Sequence, residues 1–267
     1  MRVLAVSVMS LLMVTSGMAE MPRWDGKESV AAYAQRAGIA ETELSLDLGN
    51  GVSLPFVLVP AGTFVMGGKK DSEKPAHEVT ITKPFYMTRC TVTKEQVTQL
   101  AGKDLSTLKD PKYPAAETWF AATNWCKKVG EKAGRIGRLP TEAEWEYACR
   151  AGSTNSYFYG EDDKAFTRMA DYAWFGTNGV HVYAVGQKKP NAWGFHDMYG
   201  NVFQWVWDYY GPYTAEALID PQGPAEDKCR VLRGSSYDRP PSKSGTRTRH
   251  PPSATKKDGF RVVLELK

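Results

Sequence analysis

Between residues 153 and 260 the sequence holds no sustained helical or strand period. The stretch is rich in Gly, Pro, Asn and aromatic residues, and its apolar pieces are brief, such as residues 202–206 and 230–232. A compact domain seldom contains so long a segment without elements of its own. Something other than regular secondary structure has to order it: aromatic side chains that staple loops, or a metal that gathers them. Eight Trp, 24 Gly and 16 Pro fit a loop-rich chain, and 12% aromatic residues separate it from disordered sequences. The charge balance, 34 Lys and Arg against 30 Asp and Glu, is too even for a dedicated nucleic-acid binder. Four Cys are too few for a disulfide-built scaffold.

The first half is easier to read. Arg2 precedes an apolar run over residues 3–14, and Ser16-Gly17-Met18-Ala19 places small residues where a signal peptidase reads. The run is too short to span a bilayer, which takes about 20 residues, and no later segment is apolar for long enough. Residues 1–19 are therefore expected to be a signal peptide, making the mature chain periplasmic or secreted. Residues 20–41 are expected to form an extension with a short helix near Asp25, and residues 42–267 one domain. Leu44, Leu46 and Leu48 alternate toward Asn50-Gly51, the strongest short hairpin signal, and residues 52–59 return from it. Short strands are expected at 63–66, 79–82 and 85–87, with a helix starting at Glu95. Trp119, Ala122, Trp125, Cys126 and Val129 recur at helical spacing within a helix expected over 115–133. A second helix over 140–150 has Thr141 to cap it and Glu142 and Glu144 in its first turn.

Four segments then stand out in order. They are Val59-Pro60-Ala61-Gly62-Thr63-Phe64-Val65-Met66-Gly67, Arg138-Leu139-Pro140-Thr141-Glu142-Ala143-Glu144-Trp145-Glu146-Tyr147-Ala148, Pro190-Asn191-Ala192-Trp193-Gly194-Phe195-His196-Asp197-Met198-Tyr199-Gly200-Asn201-Val202, and Arg233-Gly234-Ser235-Ser236-Tyr237 with Gly259-Phe260-Arg261-Val262. Together they resemble the sulfatase-modifying-factor family, whose founding member is the formylglycine-generating enzyme. The resemblance implies an α+β fold of elaborated C-type-lectin-like type, with little regular secondary structure and long ordered loops.

The family's oxidation of a substrate Cys uses Cu(I) held by two thiolates, because soft sulfur selects that ion. At the positions that match the copper cysteines this chain has Arg239 and Ser244, and no Cys lies between 230 and 267. No copper is expected, and no copper-dependent formylglycine formation. His77, His181, His196 and His250 show no paired ligand spacing. The resemblance also implies a calcium site at Asp197, Gly200, Val202 and Gln204, where the family usually has Glu in place of Gln204. Oxygen donors at alternating positions of a tight loop suit a hard cation; the alternative is that Asp197 only caps its loop. A second calcium site would begin at Asp171 and the Tyr172 carbonyl. Cys90, Cys126, Cys149 and Cys229 read either as buried thiols or as bridges with three possible pairings.

In active members of the family a groove beside the Gly-Ser-Tyr motif receives an extended peptide. Here that region carries Arg239, Lys243, Arg247, Arg249, His250, Lys256 and Lys257 against Asp238 and Asp258. Such a run is either a solvated surface or a surface for an acidic partner segment, with Arg239, Lys243, Arg247 and Arg249 as candidate binding residues. Pro240-Pro241 and Pro251-Pro252 would stiffen its loops. The expectation is an exported, non-copper binding or regulatory module that acts on another exported protein or peptide, for example a secretion-system component or a toxin. The alternative is an oxidoreductase acting on a peptide or peptide-derived metabolite, as a branch resembling the periplasmic oxidase of pyoverdine maturation implies. Ser236, Tyr237 and Arg249 would then line its pocket.

Overall fold

The structure, a computed structural model, describes residues 21–161, 166–254 and 258–266. The expected signal segment 1–19, and Lys256 and Lys257, lie outside the described residues. The Asn50-Gly51 dipeptide closes a hairpin through positive φ at both residues, 52° and 75°. It joins β1 (Glu43–Gly49) to β2 (Val52–Val59). Because strand side chains alternate in direction, β2 feeds two cores at once. Leu54, Phe56 and Leu58 enter one, with Trp125, Trp205 and Phe260; Val57 and Val59 enter the other, with Trp145, Tyr147 and Trp193.

The remaining strands are β3 (Gly62–Met66), β4 (His77–Ile81), β5 (Phe85–Thr88), β6 (Gly137–Arg138), β7 (Phe203–Tyr209), β8 (Leu218–Ile219), β9 (Arg230–Arg233), β10 (Arg247–His250), β11 (Asp258–Phe260) and β12 (Val263–Glu265). They build a sheet in the order β1-β2-β5-β12-β6, a second in the order β10-β9-β7-β11 and a third in the order β3-β4-β8. Four helices accompany them among the described residues: α1 (Val30–Arg36), α2 (Lys94–Leu100), α3 (Trp119–Ala133) and α4 (Glu142–Arg150). The mixture of short strands and few helices is the expected α+β class.

Helix starts follow their caps. In α4 the Thr141 hydroxyl accepts the Glu144 N–H at 3.2 Å while the Glu144 carboxylate accepts the Thr141 N–H at 2.7 Å, a reciprocal capping box. α3 begins at Trp119 rather than at residue 115. Thr118 caps it, and the residues before are held extended by bonds from Ala115 N–H to the Val92 carbonyl and from Glu117 N–H to the Asp258 carbonyl. α1 is capped by Ser29, whereas Asp25 accepts the Lys27 and Glu28 N–H groups, each at 2.8 Å.

The long second half is ordered by rings and by buried hydrogen bonds. Phe158 stacks on Tyr199 with centroids 5.4 Å apart, Tyr159 on Tyr172 at 5.0 Å and Trp174 on Tyr183 at 3.9 Å. Asn191 shows how one motif residue anchors a loop. Its amide donates to the Ala148 and Cys149 carbonyls at the end of α4, and its oxygen accepts the N–H groups of Trp193 and Phe195. All four cysteines are free thiols, Cys126 and Cys149 fully buried. Burial pushes the Cys90 thiol up to about 12 and the Cys149 thiol up to about 11, so both stay neutral near pH 7.

Candidate functional site

Glu142, Glu146 and Arg150 lie four residues apart on α4 and so share one face. That face is buried, and buried charges need partners. Glu142 takes Arg247 in a two-pronged pair, 2.7 Å to Nε and 2.6 Å to Nη2. Glu146 accepts the Gly67 N–H at 2.9 Å and Arg150 at 2.7 and 2.9 Å, and pairs its second oxygen with Arg233. Arg233 in turn donates to the Gly245 and Thr246 carbonyls at 2.8 Å and to the Ser244 carbonyl at 3.2 Å. Burial alone would lower the Arg233 pKa, but Glu146, Tyr213 and Glu142 hold it above its ordinary value. Asp208, which accepts the Glu142 N–H at 2.7 Å, is raised well above the usual carboxylate range by burial and by the Glu142 charge. This network ties together three of the sequence segments and fixes the loop between β9 and β10 from below. Sequence reasoning assigned Glu142 and Glu144 to the helix first turn and missed the network, although the 142-146-150 spacing was its signal.

The loop above the network is rigid and largely hydroxyl-stitched. Ser235 donates to the Pro240 carbonyl at 2.8 Å, Ser242 to the Gly234 carbonyl at 2.7 Å and Ser236 to Asp238 at 2.5 Å. Tyr237 N–H donates to the Asn201 carbonyl, and the Arg239 carbonyl accepts the Gly176 N–H. The two positions that match the copper cysteines point in opposite senses. Arg239 is exposed, whereas Ser244 is fully buried and its hydroxyl shares a 2.9 Å hydrogen bond with the Tyr199 hydroxyl. The thiol that meets Ser244 is that of Cys149, kept protonated by burial. One neutral thiol beside two hydroxyls offers no pair of soft anionic ligands for Cu(I).

The basic run divides. Arg239 and Arg249 are exposed and Lys243 is half-buried. Arg247 does not belong to that surface. Its charge is needed by Glu142, and its guanidinium lies over the rings of Tyr210 and Tyr213 at 4.4 and 4.2 Å. Arg249 covers Tyr210 from outside at 4.5 Å. His250 is oriented by Asp258 through a 2.8 Å contact at Nδ1. Of the other histidines, His77 Nδ1 meets the Pro75 carbonyl, His196 Nδ1 meets the Lys188 carbonyl and His181 lies on the Tyr183 ring.

In the loop 197–204 Asp197 and Asn201 have φ of 57° and 69°. Asp197 Oδ2 accepts the Gly186 N–H at 2.8 Å, while Oδ1 is buried without a partner, and burial raises the carboxyl. The Gly200 carbonyl accepts the Val202 N–H at 3.0 Å. Gln204 is fully engaged: Oε1 accepts from Trp145 at 2.8 Å and from Arg261 at 2.7 Å, and Nε2 donates to the Asp197 carbonyl at 2.8 Å. In this geometry Asp197 Oδ1 is a buried oxygen without a partner, while Gln204 turns an N–H toward the loop. At the second position Asp171 is paired with Lys189 at 2.9 Å, and Tyr172 stacks on Tyr159. Among the described residues no three His, Cys, Asp or Glu side chains gather at one point, and no helix is long and apolar enough to cross a membrane.

Comparison with known proteins places this architecture. The formylglycine-generating enzyme of Bos taurus is 31% identical over 153 residues, which cover 51% of this chain and 38% of that enzyme. The serine/threonine-protein kinase pkn1 of Chlamydia pneumoniae is 31% identical over 217 residues, 68% of this chain and 33% of that protein. The matches thus span well under half the length of either relative. Among solved structures, Treponema denticola variable protein 1 has a TM-score of 0.75 at 24% identity, covering 85% of this chain and all of that one. PvdO from Pseudomonas aeruginosa has a TM-score of 0.71 at 26% identity, covering 85% and 99%. These likenesses establish the C-type-lectin-like fold of the formylglycine-generating-enzyme type. Residues 52–266 match the model of the sulfatase-modifying factor enzyme 1-like domain, and the chain belongs to that family.

Proposed function

We propose that the protein is an exported binding module that holds an acidic segment of another exported protein, and that it does not oxidise cysteine through copper. The observation that carries this reading is the pair of positions matching the copper cysteines. One bears an exposed Arg239 on a loop locked from below by Arg233, and the other a buried Ser244 bonded to Tyr199. A loop already fixed before the partner arrives loses little entropy on binding. Arg239, Lys243 and Arg249 then supply the positive surface. A fluorescent Asp/Glu-rich peptide, followed by anisotropy, tests this. The unmodified protein is expected to bind it with an affinity that falls as salt rises. The combined variant Arg239→Glu, Lys243→Glu, Arg249→Glu should bind at least about tenfold more weakly at unchanged thermal stability. Equal binding by both proteins, or steady turnover of a peptide substrate, would sink the proposal.

Calcium enters the proposal through Asp197 Oδ1, the buried oxygen left without a partner. Millimolar calcium is expected to raise the Tm of the unmodified protein by about 2–4 °C, roughly 1 kcal/mol of linkage. It should leave Asp197→Asn unmoved. The same shift in both proteins, or none in either, would remove calcium from the account.

A further inference from the structure

Residues 21–51 precede the segment that the family model matches, which begins at residue 52, yet they are built firmly into the molecule. Trp24 N–H donates to the Ala61 carbonyl at 2.7 Å, and the Trp24 indole donates to the Glu28 carbonyl at 2.8 Å. Tyr33 is fully buried, and its hydroxyl accepts the Ala61 N–H at 3.1 Å. The Trp24 ring lies against Gly152, whose φ of 88° and lack of a Cβ allow the approach. It meets Trp193 edge to face, with centroids 5.3 Å apart.

Between the extension and the domain opens a cavity of about 420 Å³. That size lies in the range of small-ligand sites. Trp24 and Trp193 wall it, Val30 and Val57 add aliphatic surface, and Glu28 and Glu43 bring carboxylates to it. Each carboxylate is paired with an arginine, Glu28 with Arg36 and Glu43 with Arg89 at 2.5 Å, but neither arginine lines the cavity. No Lys, Arg or His is among the described lining residues. The lining therefore offers two indole rings, apolar walls and, as its charged groups, carboxylates alone, each balanced by an arginine that stands outside the cavity. Indole faces attract cations as well as apolar bodies.

We propose that this cavity binds a small organic cation, an amine carrying a flat or aliphatic apolar body. The site is separate from the basic loop and does not depend on the acidic-partner reading. Its test is titration of the purified protein with phenethylamine, followed by calorimetry, beside the isosteric anion phenylacetate. The amine is expected to bind at least about tenfold more tightly than the acid. Glu43→Gln should weaken the amine by about three- to tenfold. Ala192 is exposed and lines the cavity, so Ala192→Trp should fill it and abolish binding at unchanged Tm. Ala31→Phe fills it from the α1 side should the first variant lose stability. No binding of phenethylamine, equal binding of phenylacetate, or full binding by a folded cavity-filled variant would each overturn the proposal.

Discussion

Replacing Arg233 by Leu is expected to cost about 3–5 kcal/mol of folding stability, the usual loss when one member of a buried ion pair is removed. Arg233 is fully buried and pairs with Glu146, which is fully buried as well. It also satisfies the carbonyls of Ser244, Gly245 and Thr246. Leucine fills much of the volume but leaves one Glu146 oxygen and three carbonyls without their donor. For a domain of this size the loss corresponds to a fall in Tm on the order of 10 °C. Thermal unfolding with Arg249→Leu as control measures it. The control removes an exposed arginine and its contact with the Tyr210 ring, and should change stability by no more than about 1 kcal/mol. The double variant Arg233→Leu, Glu146→Leu should lose less than the sum of the single losses, since it removes the stranded carboxylate together with its partner. A loss below about 1 kcal/mol in Arg233→Leu would show that the network is not what fixes the loop.

Gly130→Ala is expected to destabilise by about 2 kcal/mol net, an overpacking cost of about 3 kcal/mol less the roughly 1 kcal/mol by which alanine is the better helix former. Gly130 sits in α3 directly against Gly137 of β6. A Cβ at Gly130 would come within 3.0 Å of the Gly137 nitrogen and Cα and of the Arg135 carbonyl, all of them backbone atoms that cannot rotate away. A Cβ at Gly137 would meet the Cys126 carbonyl and the Gly130 backbone in the same way. The sign of the effect is diagnostic. Thermal unfolding that shows stabilisation would mean that α3 and β6 pack less closely than described, with propensity alone deciding.

These two sites show what the sequence revealed and what it concealed. Asn50-Gly51 announced its hairpin because the φ values of a two-residue turn are a local property. The helical spacing of Trp119, Trp125 and Val129 announced α3 for the same reason. The approach of Gly130 to Gly137 is also close in sequence, but nothing in composition tells a glycine that touches backbone from one that merely punctuates. Beyond residue 152 the strands are two to seven residues long and pair with distant segments: β12 with β5, and β11 in parallel with β7. Periodicity has no purchase on strands that short. The order there comes from stacked rings and from single side chains such as Gln204 and Asn191, which join segments far apart in the chain.

The candidate site was legible in one respect and hidden in another. The absence of thiols at Arg239 and Ser244 is a matter of residue identity and could be read directly. Which charges of the basic run face solvent could not, because that depends on where Glu142 lies in space. Arg247 looked like one more surface cation and is instead the partner of that buried carboxylate. Gln204 looked like a substituted calcium ligand and in the fold joins Trp145, Arg261 and the Asp197 carbonyl.

The reading of the protein as a binding module rests on the loss of thiolate chemistry beside a rigid, basic loop, and copper content tests it most directly. The purified protein would be loaded with Cu(I) under reducing conditions, challenged with a competing chelator and assayed for retained metal. The account predicts that no copper is retained, because Arg239 is a cation, Ser244 a hydroxyl, and the Cys149 thiol beside it is held neutral by burial. Retention of one copper ion per chain would contradict it.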